Sequence, residues 1–68
     1  MKNVYFITAG GSYRTIGKQT RKPTKKQIIE KGGTSYVRKS YENNELLTID
    51  WYRIIEGKLV HVLHRNVY

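Results

Sequence analysis

Between residues 34 and 65 the chain alternates three strand-like stretches, TSYVRKSY, LLTIDWYRII and KLVHVLHR, with two short interruptions, Glu42-Asn43-Asn44-Glu45 and Glu56-Gly57. Each stretch is rich in β-branched and aromatic residues, and Asn-Asn and Glu-Gly suit tight hairpin turns. The pattern predicts a three-stranded antiparallel meander. In its middle strand, alternation puts Leu47, Ile49, Trp51 and Ile55 on one face and Thr48, Asp50 and Tyr52 on the other. Arg53 falls on the apolar face near its end, where its stem can pack and its head reach water.

Upstream, residues 3–8 (NVYFIT) read as a strand, and Ala9-Gly10-Gly11-Ser12 as a reversal. Residues 13–18 (YRTIGK) return as a second strand, weakened by Gly17. Thr24 and Gln27 have capping-box spacing, and Gly32 is placed to end a helix, so a helix is expected over residues 25–31. Two turns are marginal alone, so Ile28 and Ile29 must dock on the sheet. The expected architecture is a single α+β domain over residues 1–68: a small antiparallel sheet of three to five strands, including the C-terminal meander, with one short helix packed on it.

Leu, Ile, Val and Phe account for 17 of the 68 residues, enough for a folded chain of this charge. Ten of them lie between Leu46 and Val67 and only four (Ile16, Ile28, Ile29, Val37) within residues 14–39. This distribution predicts an apolar C-terminal scaffold, joined by the first strand, with a nearly core-free basic segment across one side. Cysteine is absent, so neither disulfides nor thiolate metal sites add stability. The short apolar run near the N-terminus is soon interrupted by Thr8 and two glycines, too early for a signal peptide or a membrane span. A cytoplasmic protein without a membrane partner is the expectation.

Residues 14–39 hold nine of the thirteen basic side chains and one acid, Glu30, which equals the net +8 of the whole chain. A concentrated basic face attracts polyanions, and interleaved tyrosines can stack on unpaired bases. The segment therefore points to a non-catalytic nucleic-acid-binding protein without a cofactor, DNA slightly favoured over RNA. Arg14, Lys18, Arg21, Lys22, Lys25, Lys26, Arg38 and Lys39 are the candidate phosphate contacts, and Tyr13 and Tyr36 the candidate stacking residues. The amides of Lys25, Lys26 and Gln27 at the helix start offer a further anion site. The same strip suits an acidic or nucleic-acid-facing surface of a host protein complex, as a phage- or mobile-element-type inhibitor would use. An odd strand count with an open edge permits a homodimer.

Other chemistries are weakly supported. Gly11 to Gln19 has five residues between its glycines and no Ser or Thr after Lys18, so it is not a phosphate-binding P-loop. His61 and His64, three apart in a strand, are expected on opposite faces and so unable to share a metal without a further ligand. No nucleophile–base constellation can be assembled. The final hairpin, Trp51-Tyr-Arg-Ile-Ile followed by Lys-Leu-Val-His-Val-Leu-His64-Arg65-Asn-Val-Tyr68, resembles the closing hairpin of RelE/ParE-type toxins. The two helices that open that family have no counterpart here. The resemblance implies an endoribonuclease in which Arg53, His64, Arg65 and Tyr68 contact phosphate or transfer protons.

Overall fold

The computed structural model describes residues 1–67, and its strands are β1 (Lys2–Ala9), β2 (Arg14–Gln19), β3 (Ser35–Glu42), β4 (Glu45–Ile55) and β5 (Lys58–Asn66). They form one antiparallel sheet in the order β2-β1-β3-β4-β5. The meander β3-β4-β5 is present as expected. Its turns have left-handed backbone at Asn43 (φ 50°) and Asn44 (φ 65°), and at Glu56 (φ 51°) and Gly57 (φ 78°). Two consecutive positive φ values match the right-handed twist of the flanking strands. Among the described residues the fold is mostly β: the only helix, α1 (Lys25–Glu30), is a minor element, and no helix is long and apolar enough to cross a membrane.

β1 lies between β2 and β3, so the chain must cross over it to pass from one neighbour to the other, and α1 makes that crossing. The helix starts as its sequence directs: Gln27 N donates to Thr24 Oγ1 (3.1 Å) and Thr24 N donates to Gln27 Oε1 (3.0 Å). Gly33 N donates to Ile28 O (2.8 Å), and Thr34 N then donates to Thr8 O (3.0 Å), which ties the helix exit to β1. A Cβ at Gly33 would stand 2.8 Å from Ile7 Cγ2, 3.0 Å from Thr8 O and 3.1 Å from Ile28 Cγ2. Gly33→Ala is therefore expected to cost about 1–3 kcal/mol through overpacking, measured as a lower urea midpoint. An unchanged midpoint would show that the helix can lift off β1 freely.

The core differs from the expected C-terminal scaffold. Its buried members are Tyr5, Ile7, Ile28 and Tyr36, with Ile16, Tyr52, Ile54 and Leu59 packed against them. Ile28, Ile16 and Tyr36 belong to the basic segment, so charge and core are interleaved along the chain rather than segregated. The closing strand is the exposed part: Val60, Val62 and Leu63 are 39%, 40% and 54% exposed. The physical reason is position, because β5 is an edge strand of which only Leu59 packs against the core. The core packs on the β4 face bearing Tyr52 and Ile54, which Asp50 shares, so the more apolar face with Ile49, Trp51 and Ile55 is the one turned away from α1.

Candidate nucleic-acid interface

The face turned away from α1 carries two cross-strand rows. Lys18, Phe6, Val37, Trp51 and Leu63 stand opposite one another from β2 to β5, and Val4, Lys39, Ile49 and Arg65 form the next row. Val4 and Val37 are buried among larger neighbours, while Phe6 and Trp51 remain partly exposed. Two strand spacings, about 10 Å, separate the Phe6 and Trp51 backbones. The Lys39 and Lys18 ammonium groups lie 4.8 and 5.9 Å from the Phe6 ring centre, where a cation is attracted to the ring face.

Phe6 separates two concavities. One, of about 260 Å³, is lined by Tyr13, Lys39 and Trp51 among others, and the second, of about 230 Å³, by Lys2, Lys18 and Tyr41. Alternation also directs Arg53 to this face, opposite Ser35 and Val60. Lys58, opposite Ile55, follows by the same rule, so six cations share it: Lys2, Lys18, Lys39, Arg53, Lys58 and Arg65. Among the described residues no acid does. Glu30 is on α1, Glu42 and Glu45 pair at the hairpin end, Asp50 faces the helix side, and Glu56 is in a turn.

The ten sequence candidates divide between the two sides. Tyr13, Lys18 and Lys39 lie on the open face. Arg14, opposite Ala9, falls on the other side, and Arg21 and Lys22 are exposed in the connection before α1. Lys25 and Lys26 are on the helix, where Lys25 Nζ donates to Gly57 O (2.7 Å) and Lys26 Nζ is 4.0 Å from Glu30 Oε1. Gln27 N is taken by Thr24, so the expected anion site of free helix amides is not formed as read.

Tyr36 cannot act as a stacking platform. It is 2% exposed, its ring stacks on Tyr52 at 4.6 Å, and burial followed by the neighbouring Tyr52 pushes its hydroxyl pKa up to about 12. Phe6, Trp51 and Lys2 are not among the sequence candidates, and Arg65 is one only through the toxin resemblance, because only the register sets them side by side. The alternation of Val4 and Phe6 against Tyr5 and Ile7 was the available signal.

On the helix side, Asp50 gathers three partners although it is only 2% exposed. Arg38 Nη2 donates to its Oδ2 at 3.0 Å, while His61 Nε2 and His64 Nδ1 donate to Oδ1 at 3.0 and 2.6 Å. The two histidines share this face, contrary to the expectation from simple alternation. Tyr52 pairs with His61 and Trp51 with Leu63, so Val62 is an extra residue, a β-bulge that resets the alternation of β5. Burial pushes the Asp50 carboxyl up, but hydrogen bonds from His64, Arg38 and His61 outweigh it and hold it below the usual carboxylate range. The bond to Asp50 in turn raises His64 above the ordinary imidazole value.

The set implied by the toxin resemblance is not brought together. Arg53 and Arg65 face the open side and His64 the helix side, while Tyr68 lies outside the described residues. Comparison with protein-family models, curated proteins and solved structures found no match.

Proposed function

We propose that this chain binds single-stranded nucleic acid across the open face of its sheet, without catalysing a reaction on it. The observation that carries the reading is the open face itself, where partly exposed Phe6 and Trp51 stand among six cations and no acid. Bases offer π-faces that stack on aromatic rings, phosphates are neutralised by the surrounding lysines and arginines, and an unpaired strand leaves both accessible. A duplex would present phosphates but keep its bases stacked inside. Specificity is expected to be low, since neither mode of contact reads base edges.

Trp51 is the only tryptophan and therefore an intrinsic reporter of the face. Titration with a single-stranded oligonucleotide is expected to quench its fluorescence. If all six cations engage phosphates, the log–log salt slope should be about −4. Quenching with little salt dependence would refute the phosphate contacts. Salt-sensitive binding without quenching would move the interface off this face, and absence of both at low salt would refute the nucleic-acid reading in favour of an acidic protein surface.

A further inference from the structure

We propose that Asp50, His61 and His64 form a binding site for a divalent transition-metal ion of the zinc type at the β4–β5 edge. Their donor atoms, one carboxylate oxygen and two imidazole nitrogens, all lie within 4.8 Å of one another. Asp50 Oδ1 is the shared centre, 3.0 Å from His61 Nε2 and 2.6 Å from His64 Nδ1. Two imidazoles and one carboxylate favour zinc, cobalt, nickel, copper or iron over magnesium or calcium, which prefer all-oxygen sites.

Three features make the cluster a formed site. The bulge at Val62 brings both rings to the same face, a re-aiming role that bulges commonly serve beside functional sites. Arg38 occupies Oδ2 alone, leaving Oδ1 toward the histidines, as an outer partner orients a ligating carboxylate. Tyr52 stacks on the His61 ring at 4.8 Å and restricts its rotation. Metal bonds of about 2.0–2.1 Å in tetrahedral geometry place donors roughly 3.3 Å apart, so small side-chain rotations convert the two hydrogen bonds into coordination. The histidine side chains are 47% and 49% exposed, which leaves a fourth position open to water or an exogenous ligand.

The test uses the full chain without an affinity tag. Titration with Co²⁺ is expected to give a visible d–d absorption band at one equivalent that Zn²⁺ displaces. His61→Asn and His64→Asn should each weaken Zn²⁺ binding about 100-fold, at least the upper figure for loss of an outer partner. In the wild type, imidazole ¹⁵N spectra should show Zn²⁺ coordination at His61 Nε2 and His64 Nδ1, a readout independent of whether the variants fold. No binding by the wild type, undiminished binding by both folded variants, or coordination at other nitrogens would overturn the site. The site lies on the side of the sheet opposite the nucleic-acid face, so oligonucleotide binding by the histidine variants should remain as in the wild type.

Discussion

Trp51→Ala and Phe6→Ala are each expected to weaken single-stranded oligonucleotide binding by roughly 5- to 150-fold, the equivalent of about 1–3 kcal/mol for one lost base–ring contact. The two rings stand in one cross-strand row with Val37 between them, so each can hold a different base of one strand. Lys39→Ala, beside Phe6, should act differently, flattening the single-strand salt slope by about 0.7. Fluorescence anisotropy with a labelled oligonucleotide measures both effects, with circular dichroism to confirm folding. Tyr36→Phe serves as the contrast, because Tyr36 is buried on the other side of the sheet. Wild-type affinity in folded Trp51→Ala and Phe6→Ala would exclude the open face as the interface.

Asp50→Asn is expected to be among the most destabilising isosteric changes in the chain. Removing one partner of a fully buried ion pair costs about 3–5 kcal/mol, and with the Arg38 side chain 35% exposed a loss of roughly 2–3 kcal/mol is expected. For a domain this size that lowers the melting temperature by about 10 °C or more. Arg38→Met added to Asp50→Asn should recover part of the loss, since no unpaired guanidinium then remains. Equal stability of wild type and Asp50→Asn in thermal melts would show that the carboxylate charge contributes nothing to the fold.

The same cluster sets a pH window in the metal-free chain. Asp50 is held below its unfolded value, so its contribution is present above about pH 3.9 and is lost as the pH falls through its folded pKa. His64 is raised, so its contribution is complete below about pH 6.5 and is lost as the pH rises through its folded pKa. Melting temperature in chelator-containing buffers should therefore be highest between these limits, and the decline on the alkaline side should be smaller in His64→Asn.

Local chemistry was legible residue by residue. Thr24 and Gln27 announced the helix start, Asn43-Asn44 and Glu56-Gly57 the two hairpins, and the β-branched stretches the strands, because each signal is completed within a few neighbouring residues. The candidate interface was legible only in part: Tyr13, Lys18 and Lys39 lie on the proposed face, whereas Tyr36, a stacking candidate in the sequence, belongs to the core. A tyrosine looks the same in sequence whether its ring faces a helix or solvent.

The amino-acid order alone is thus sufficient for the strands, turns, capped helix and large positive charge of this protein. Which side of the sheet α1 covers, and hence which aromatic rings stay open, depends on contacts between β1, β3 and β4 that no local pattern encodes. The meeting of His61 and His64 at Asp50 depends on one bulged residue, Val62, in the pairing of β4 with β5. Side chains alternate with period two, so a one-residue irregularity exchanges faces for everything beyond it. That irregularity is a property of two strands paired together, and either strand read separately conceals it.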